Sequence, residues 1–73
     1  MTITRAQDEL LRSLEDGAEV TFKGGHYTTV KDNLAVAKLW PTTFYGLYDQ
    51  DFVEKLDNGN YTISYHGRQE IGK

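Results

Sequence analysis

The chain has no cysteine, and its 73 residues include one proline, one methionine and one tryptophan. Without cysteine, a disulfide scaffold and thiolate metal sites are excluded, and a reducing compartment is compatible with the chain. No apolar run approaches the roughly 18 residues that a membrane span needs. Met1-Thr-Ile-Thr-Arg5 also lacks the apolar core of a signal peptide. The expectation is a soluble, cytoplasmic protein with no membrane contact. Positive charge is short as well. Eight Lys and Arg face eleven Asp and Glu, a net charge of −3 that opposes nonspecific attraction to nucleic acid.

The residue types of catalysis are present but not assembled. His26 and His66 lack metal-ligand spacing, so no metal site is expected. Ser13 and Ser64 lie in no nucleophile elbow and have no evident His/Asp partners. Asp49 and Asp51 lie two apart, a spacing that favours solvated or capping roles over a carboxylate pair. A fold of this size has little room to enclose a pocket. The sequence therefore implies no catalytic residue, no cofactor and no enzyme function. Asn60-Tyr61-Thr62 matches a glycosylation sequon, which in a cytosolic turn is chance.

What the chain does have is 38% hydrophobic and 12% aromatic residues, enough for one modest core in a single domain spanning 1–73. Such a domain buries only about 60% of its unfolded surface, so its stability is marginal unless a partner or a second copy helps. Charge is unevenly placed. Residues 1–19 and 41–73 are acidic, whereas residues 20–40, with Lys23, Lys31 and Lys38 against Asp32, are weakly basic.

Local signals divide the chain. Thr4-Arg-Ala-Gln7 has the form of a capping box. Ile3, Ala6, Leu10, Leu11 and Leu14 follow at helical spacing, and Gly17 closes a helix over about residues 5–16. Residues 19–30 are β-branched and aromatic around Gly24-Gly25, which suits either a short hairpin or one strand with an irregular loop. Asp32-Asn33 can cap a short second helix through Leu34–Leu39. Trp40 before Pro41 ends it, and Pro41 suits the first turn of a third helix through Gln50. Gly46 inside that helix costs about 1 kcal/mol relative to Ala, so the helix depends on packing. Asn58-Gly59 then encodes a tight two-residue hairpin turn. Pairing Leu56 with Tyr61 places Phe52, Glu54 and Leu56 on the face of Tyr61, Ile63 and Tyr65, with Glu54 as the misfit.

Helix, β-segment, two short helices and a hairpin make an α+β, winged-helix-like order: three short helices, a C-terminal β-hairpin wing and a short extra β-segment. The ending Asn-Gly-Asn-Tyr-Thr-Ile-Ser-Tyr-His-Gly-Arg-Gln-Glu-Ile resembles the close of winged-helix domains, "Y-x-L/I-T-x-x-G-R-x-x-L/I". Tyr61, Ile63, Gly67, Arg68 and Ile71 hold the matching positions, with Ser64 in place of the usual Thr. Leu10-Leu-Arg-Ser-Leu-Glu-Asp-Gly17 is likewise similar to the first helix of small phage and prophage winged-helix proteins.

That resemblance implies a regulator bound to double-stranded DNA, its third helix in the major groove and its wing on the backbone. The candidate contacts are Thr42, Thr43, Tyr45, Asp49 and Gln50 on the helix, Gly46 sharing their outward face, and Lys55, Asn58 and Asn60 on the wing. Arg68 follows in the tail, flanked by His66 and Lys73, with local pairing to Glu70 or Glu54 as its simpler role. Thr and Gln can read base edges, but the helix face has no Lys or Arg to meet phosphate. The alternative is a protein-binding inhibitor or adaptor that uses the acidic face of helix 1 or the Tyr45/Tyr48/Asp49 surface. Trp40 is expected to close the core beneath helix 2, Gly24-Gly25 to be a plain turn, and a homodimer stays open.

Overall fold

The computed structural model describes residues 3–32 and 34–72. Eight elements follow in order: α1 (Arg5–Glu15), β1 (Glu19–Lys23), β2 (His26–Lys31), β3 (Leu34–Leu39), α2 (Pro41–Asp49), β4 (Val53–Lys55), β5 (Tyr61–Ile63) and α3 (Tyr65–Ile71). The class is α+β. The strands form one antiparallel sheet in the order β3-β2-β1-β5-β4.

Helix α1 forms as its sequence dictates. The Thr4 hydroxyl accepts from the Gln7 N–H at 3.2 Å, and the Gln7 side chain accepts from the Thr4 N–H at 2.9 Å. Leu10, Leu11 and Leu14 are buried, and Gly17 takes φ 108° just past the end. Residues 19–30 resolve into the β1–β2 hairpin, with Glu19↔Val30 through Lys23↔His26 paired and Gly24 and Gly25 at positive φ. The plain turn expected there is what forms.

Four expectations are corrected. Residues 34–39 are strand β3, not a helix, which gives five strands where a terminal hairpin and either one strand or a short hairpin over 19–30 were expected. Six residues cannot carry the cost of helix nucleation in isolation, and β2 presents an open edge to them. Asp32 at φ 54° turns the chain back, and β3 pairs from Lys31↔Leu34 to Tyr27↔Leu39. The expected cap at Asn33 lies outside the described residues.

The second correction is the terminal hairpin, which is shifted by one residue. Lys55 opposes Tyr61, Glu54 opposes Thr62 and Val53 opposes Ile63. Gly59, at φ 90°, is the third residue of a three-residue loop closed by the Leu56 N–H donating to the Asn60 carbonyl at 2.7 Å. A shift of one exchanges the faces, so Val53 and Ile63 are buried while Glu54 points away.

Third, the segment after the hairpin is helical. The Ser64 hydroxyl accepts from the Gly67 N–H at 3.1 Å and donates to the Asp51 carbonyl at 2.5 Å, capping α3 from a buried position. Fourth, Trp40 closes no core. It stands 79% exposed at the N-cap of α2, directly after the edge strand β3.

Burial alternates across the sheet. Val20, Thr29, Val53 and Ile63 are buried on one face, while Lys23, Lys38 and Glu54 on the other are exposed. Helices α1 and α2 contact each other and the strands, and α1 contacts α3. The core joins Leu10, Leu11 and Leu14 of α1 to Phe44 and Leu47 of α2, with Val20, Val53, Ile63 and Ile71. No buried side-chain polar atom among the described residues lacks a partner. No described helix is long and apolar enough to cross a membrane.

Candidate binding surface on helix α2

Two opposing demands set the orientation of α2. Phe44 and Leu47 enter the core, at 1% and 0% exposure. Gly46 lies against the end of Gln7, whose amide Nε2 donates to the Thr43 carbonyl at 3.4 Å. The absence of a side chain at 46 therefore lets α2 approach the N-terminal turn of α1. With Phe44, Leu47 and Gly46 turned inward, the outward stripe is Thr42, Tyr45, Tyr48 and Asp49.

The expected helix face is thus only partly presented. Thr42, Tyr45 and Asp49 are exposed. Thr43 and Gln50 are half-buried, and the Gln50 amide donates back to the Gly46 carbonyl at 2.9 Å. On the wing, Asn58 and Asn60 are committed within the protein. Both amides donate to Glu19 Oε1, at 3.4 and 2.9 Å, and Asn58 Oδ1 accepts from the Asn60 N–H at 2.9 Å. They fasten the turn to the start of β1. Lys55 is exposed on β4 and Arg68 is exposed on α3. No ion pair of Arg68 with Glu54 forms, and Lys73 lies outside the described residues.

Tyr45 and Tyr48 are each 50% exposed, and each is braced from behind. Tyr27 of β2 stacks on Phe44 with ring centroids 4.4 Å apart, and meets Tyr45 edge-on at 5.7 Å. Tyr61 of β5 meets Phe44 edge-on at 4.9 Å and Tyr48 edge-on at 6.0 Å. The Tyr27 hydroxyl donates to the Tyr45 hydroxyl at 3.4 Å. That bond, reinforced by burial, pushes Tyr27 up to about 12, so its hydroxyl stays protonated across the physiological range. The sequence marks Tyr45 and Tyr48 as surface candidates. It does not mark Tyr27 and Tyr61 as their supports, although Phe22, Tyr27 and Tyr61 fall on alternating strand positions that could have suggested it.

Charge around the stripe is one-signed. Asp49 and the neighbouring Asp51 are exposed and have no side-chain partner among the described residues, and the stripe has no Lys or Arg. On helix α1 and at its C-cap the carboxylates are largely engaged: Glu9 with Arg5 at 3.2 Å, Asp8 with Arg12 at 3.0 Å and the C-cap Asp16 with Lys31 at 2.8 Å. The last contact holds the Asp16 carboxyl below its ordinary value and the Lys31 ammonium above its own, chiefly through the hydrogen bond between them. Free acidity is therefore greater beside α2 than along α1. No protein-family model, curated protein or solved structure matches this chain.

Proposed function

We propose that the chain is a non-catalytic protein-binding module whose α2 stripe docks a partner surface rich in Lys or Arg. The observation that carries this reading is the pair Tyr45 and Tyr48, half exposed and held by rings behind them, beside an exposed Asp49 with no side-chain partner among the described residues. Rigid aromatic residues lose little freedom when they are covered, which is why Tyr is frequent at binding hot spots. A cation on the partner can lie on a tyrosine face and pair with Asp49 at once. Of the winged-helix-like order that the resemblance implies, the sequence α2, β4–β5 hairpin and α3 is kept, and β3 stands in place of the second helix.

A second reading, a DNA-linked regulator, is favoured by the hairpin that directly follows α2. It would use Thr42, Asp49 and Lys55. The two readings separate at position 49. An Arg-rich peptide titrated into the protein should perturb the Tyr45 and Tyr48 ring resonances. Tyr48→Ala should weaken it roughly five- to thirtyfold, the effect of losing a hot spot, and Asp49→Lys should abolish it. If a labelled duplex binds instead, with affinity that falls steeply with salt and rises in Asp49→Lys, the DNA reading replaces the protein one.

A further inference from the structure

Strand β3 is the feature of this molecule that no role so far explains. It is the longest exposed edge of the sheet, six residues against three for β4 at the other edge, and its outer backbone groups are unpaired by any strand. Edge strands in native proteins are usually guarded by proline, by several charges or by shortness. β3 reads Leu-Ala-Val-Ala-Lys-Leu, with one charge and no proline, and Leu34 and Val36 are 70% and 64% exposed. Its one irregularity is a bulge: Ala35 opposes Val30 and Ala37 opposes Thr29, so Val36 has no partner residue on β2. Val36 then lies at the mouth of an apolar groove of about 180 Å³, between β3 and Ala6 and Leu10 of α1.

We propose that β3 is a homodimer interface, and that a second copy pairs with it antiparallel about a two-fold axis centred on Val36. Two observations favour a copy of this chain over another occupant, and a third sets how tightly it would pair. The first is charge. The strand is cationic at its C-terminal end, at Lys38, and anionic at its N-terminal turn, at Asp32; neither residue has a hydrogen-bonded side-chain partner among the described residues. Antiparallel self-pairing puts Lys38 of one copy opposite Leu34 of the other and beside its Asp32, so both ends are neutralised by the same symmetry. The second is register. The bulge interrupts the ladder at Val36, and only a pairing that sets Val36 against Val36 brings both interruptions to one place. The third is area. Leu34, Val36 and the adjoining Trp40, a residue type that buries about 150–250 Å², offer on the order of 400 Å² per copy. A standard interface takes roughly 600–1,000 Å² per partner. That area suits a weak, reversible dimer and not an obligate one.

This inference is independent of the α2 reading, since the two surfaces share no residue. The chain's lack of cysteine makes the test direct. A single Val36→Cys substitution should form an intermolecular disulfide, because directly opposed Cβ atoms in an antiparallel pair lie about 4.5–5.5 Å apart, close to disulfide reach. Glu54→Cys, exposed on the opposite edge, serves as the control. The expected result is crosslinking at least tenfold faster for Val36→Cys under mild oxidation, with wild-type protein shifting from monomer to dimer between low micromolar and millimolar concentration in sedimentation velocity. Val36→Lys sets like charges together at the axis and should hold the protein monomeric, with its circular dichroism unchanged. Equal crosslinking rates, a monomer throughout the range, or a dimer that persists in Val36→Lys would each overturn the proposal.

Discussion

Gly67 shows how one atom decides a position. It is the third residue of α3, and its N–H donates to the Ser64 hydroxyl that caps the helix. A Cβ built there would press on the Phe52 carbonyl and come within 2.8 Å of Ile63 Cγ1. The Phe52 carbonyl is itself fixed, accepting from the Ser64 N–H at 3.0 Å. Ile63 is a central core side chain. Neither neighbour can move aside. Gly46 differs, since a methyl group there meets only the end of the Gln7 side chain, which can shift at the expense of its hydrogen bonds to Thr4 and Thr43. Helix propensity alone favours Ala over Gly by about 1 kcal/mol, whereas overpacking a fixed site costs about 1–3 kcal/mol. Gly67→Ala should therefore destabilise the protein, read as a lower urea midpoint at unchanged slope. A raised midpoint would mean that α3 tilts to admit the methyl group. The glycine of the C-terminal motif is thus explained by close approach of backbone, without reference to a ligand.

At the scale of elements, what could be read in the sequence divides along the line between local and long-range causes. Helix α1 was legible because its cap, its leucine spacing and its terminating glycine all lie within the helix or at most two residues beyond it. The core of α2 was legible only in part: helical spacing puts Phe44, Leu47 and Tyr48 on one face, and the first two are buried while Tyr48 is half exposed. Strand β3 was not, because Leu, Ala and Lys are good helix formers and its strand state comes from pairing with β2. The hairpin was foreseen but its register was not, since Asn58-Gly59 suits a two-residue turn as well as the end of a longer loop. Of the candidate surface, Tyr45, Tyr48 and Asp49 were visible as residues. Their bracing by Tyr27 and Tyr61 depends on the sheet. Trp40 is the clearest case: the second helix it was expected to pack beneath is strand β3, and it stands exposed. As the chain's one tryptophan, it should report this directly. At low micromolar concentration its emission should already resemble that of solvated indole, and unfolding in urea should shift it little. Trp40→Ser should change stability by no more than about 0.5 kcal/mol, as for other surface changes. A large red shift on unfolding would place Trp40 inside the fold.

For the molecule as a whole, the decisive fact is how few side chains hold it together. Phe44, Leu11, Leu47, Ile63 and Val20 are the largest fully buried ones, and they come from α1, α2, β1 and β5. Among these elements α1 is the hub, contacting α2, α3 and β5. Leu11, fully buried on that hub, is therefore where a cavity should be felt across the whole structure. A domain of 73 residues is stable by roughly 4–11 kcal/mol at the usual per-residue value. Leu→Ala at a closed core site costs about 2–5 kcal/mol, a large share of that total. Leu11→Ala should lower the melting temperature by roughly 8–40 °C, at about 4–8 °C per kcal/mol for a domain this size. The loss should be cooperative, with far-ultraviolet and aromatic signals melting together, because helices and sheet share one core. Leu34→Ala makes the same chemical change on the exposed strand and should leave the melting temperature nearly unaltered in dilute solution. Equal losses at the two positions would mean that β3 is covered in the monomer and that the core extends beyond the helices. Unequal losses, with position 11 dominant, would fix the core beneath α1 and leave the β3 edge free for another strand.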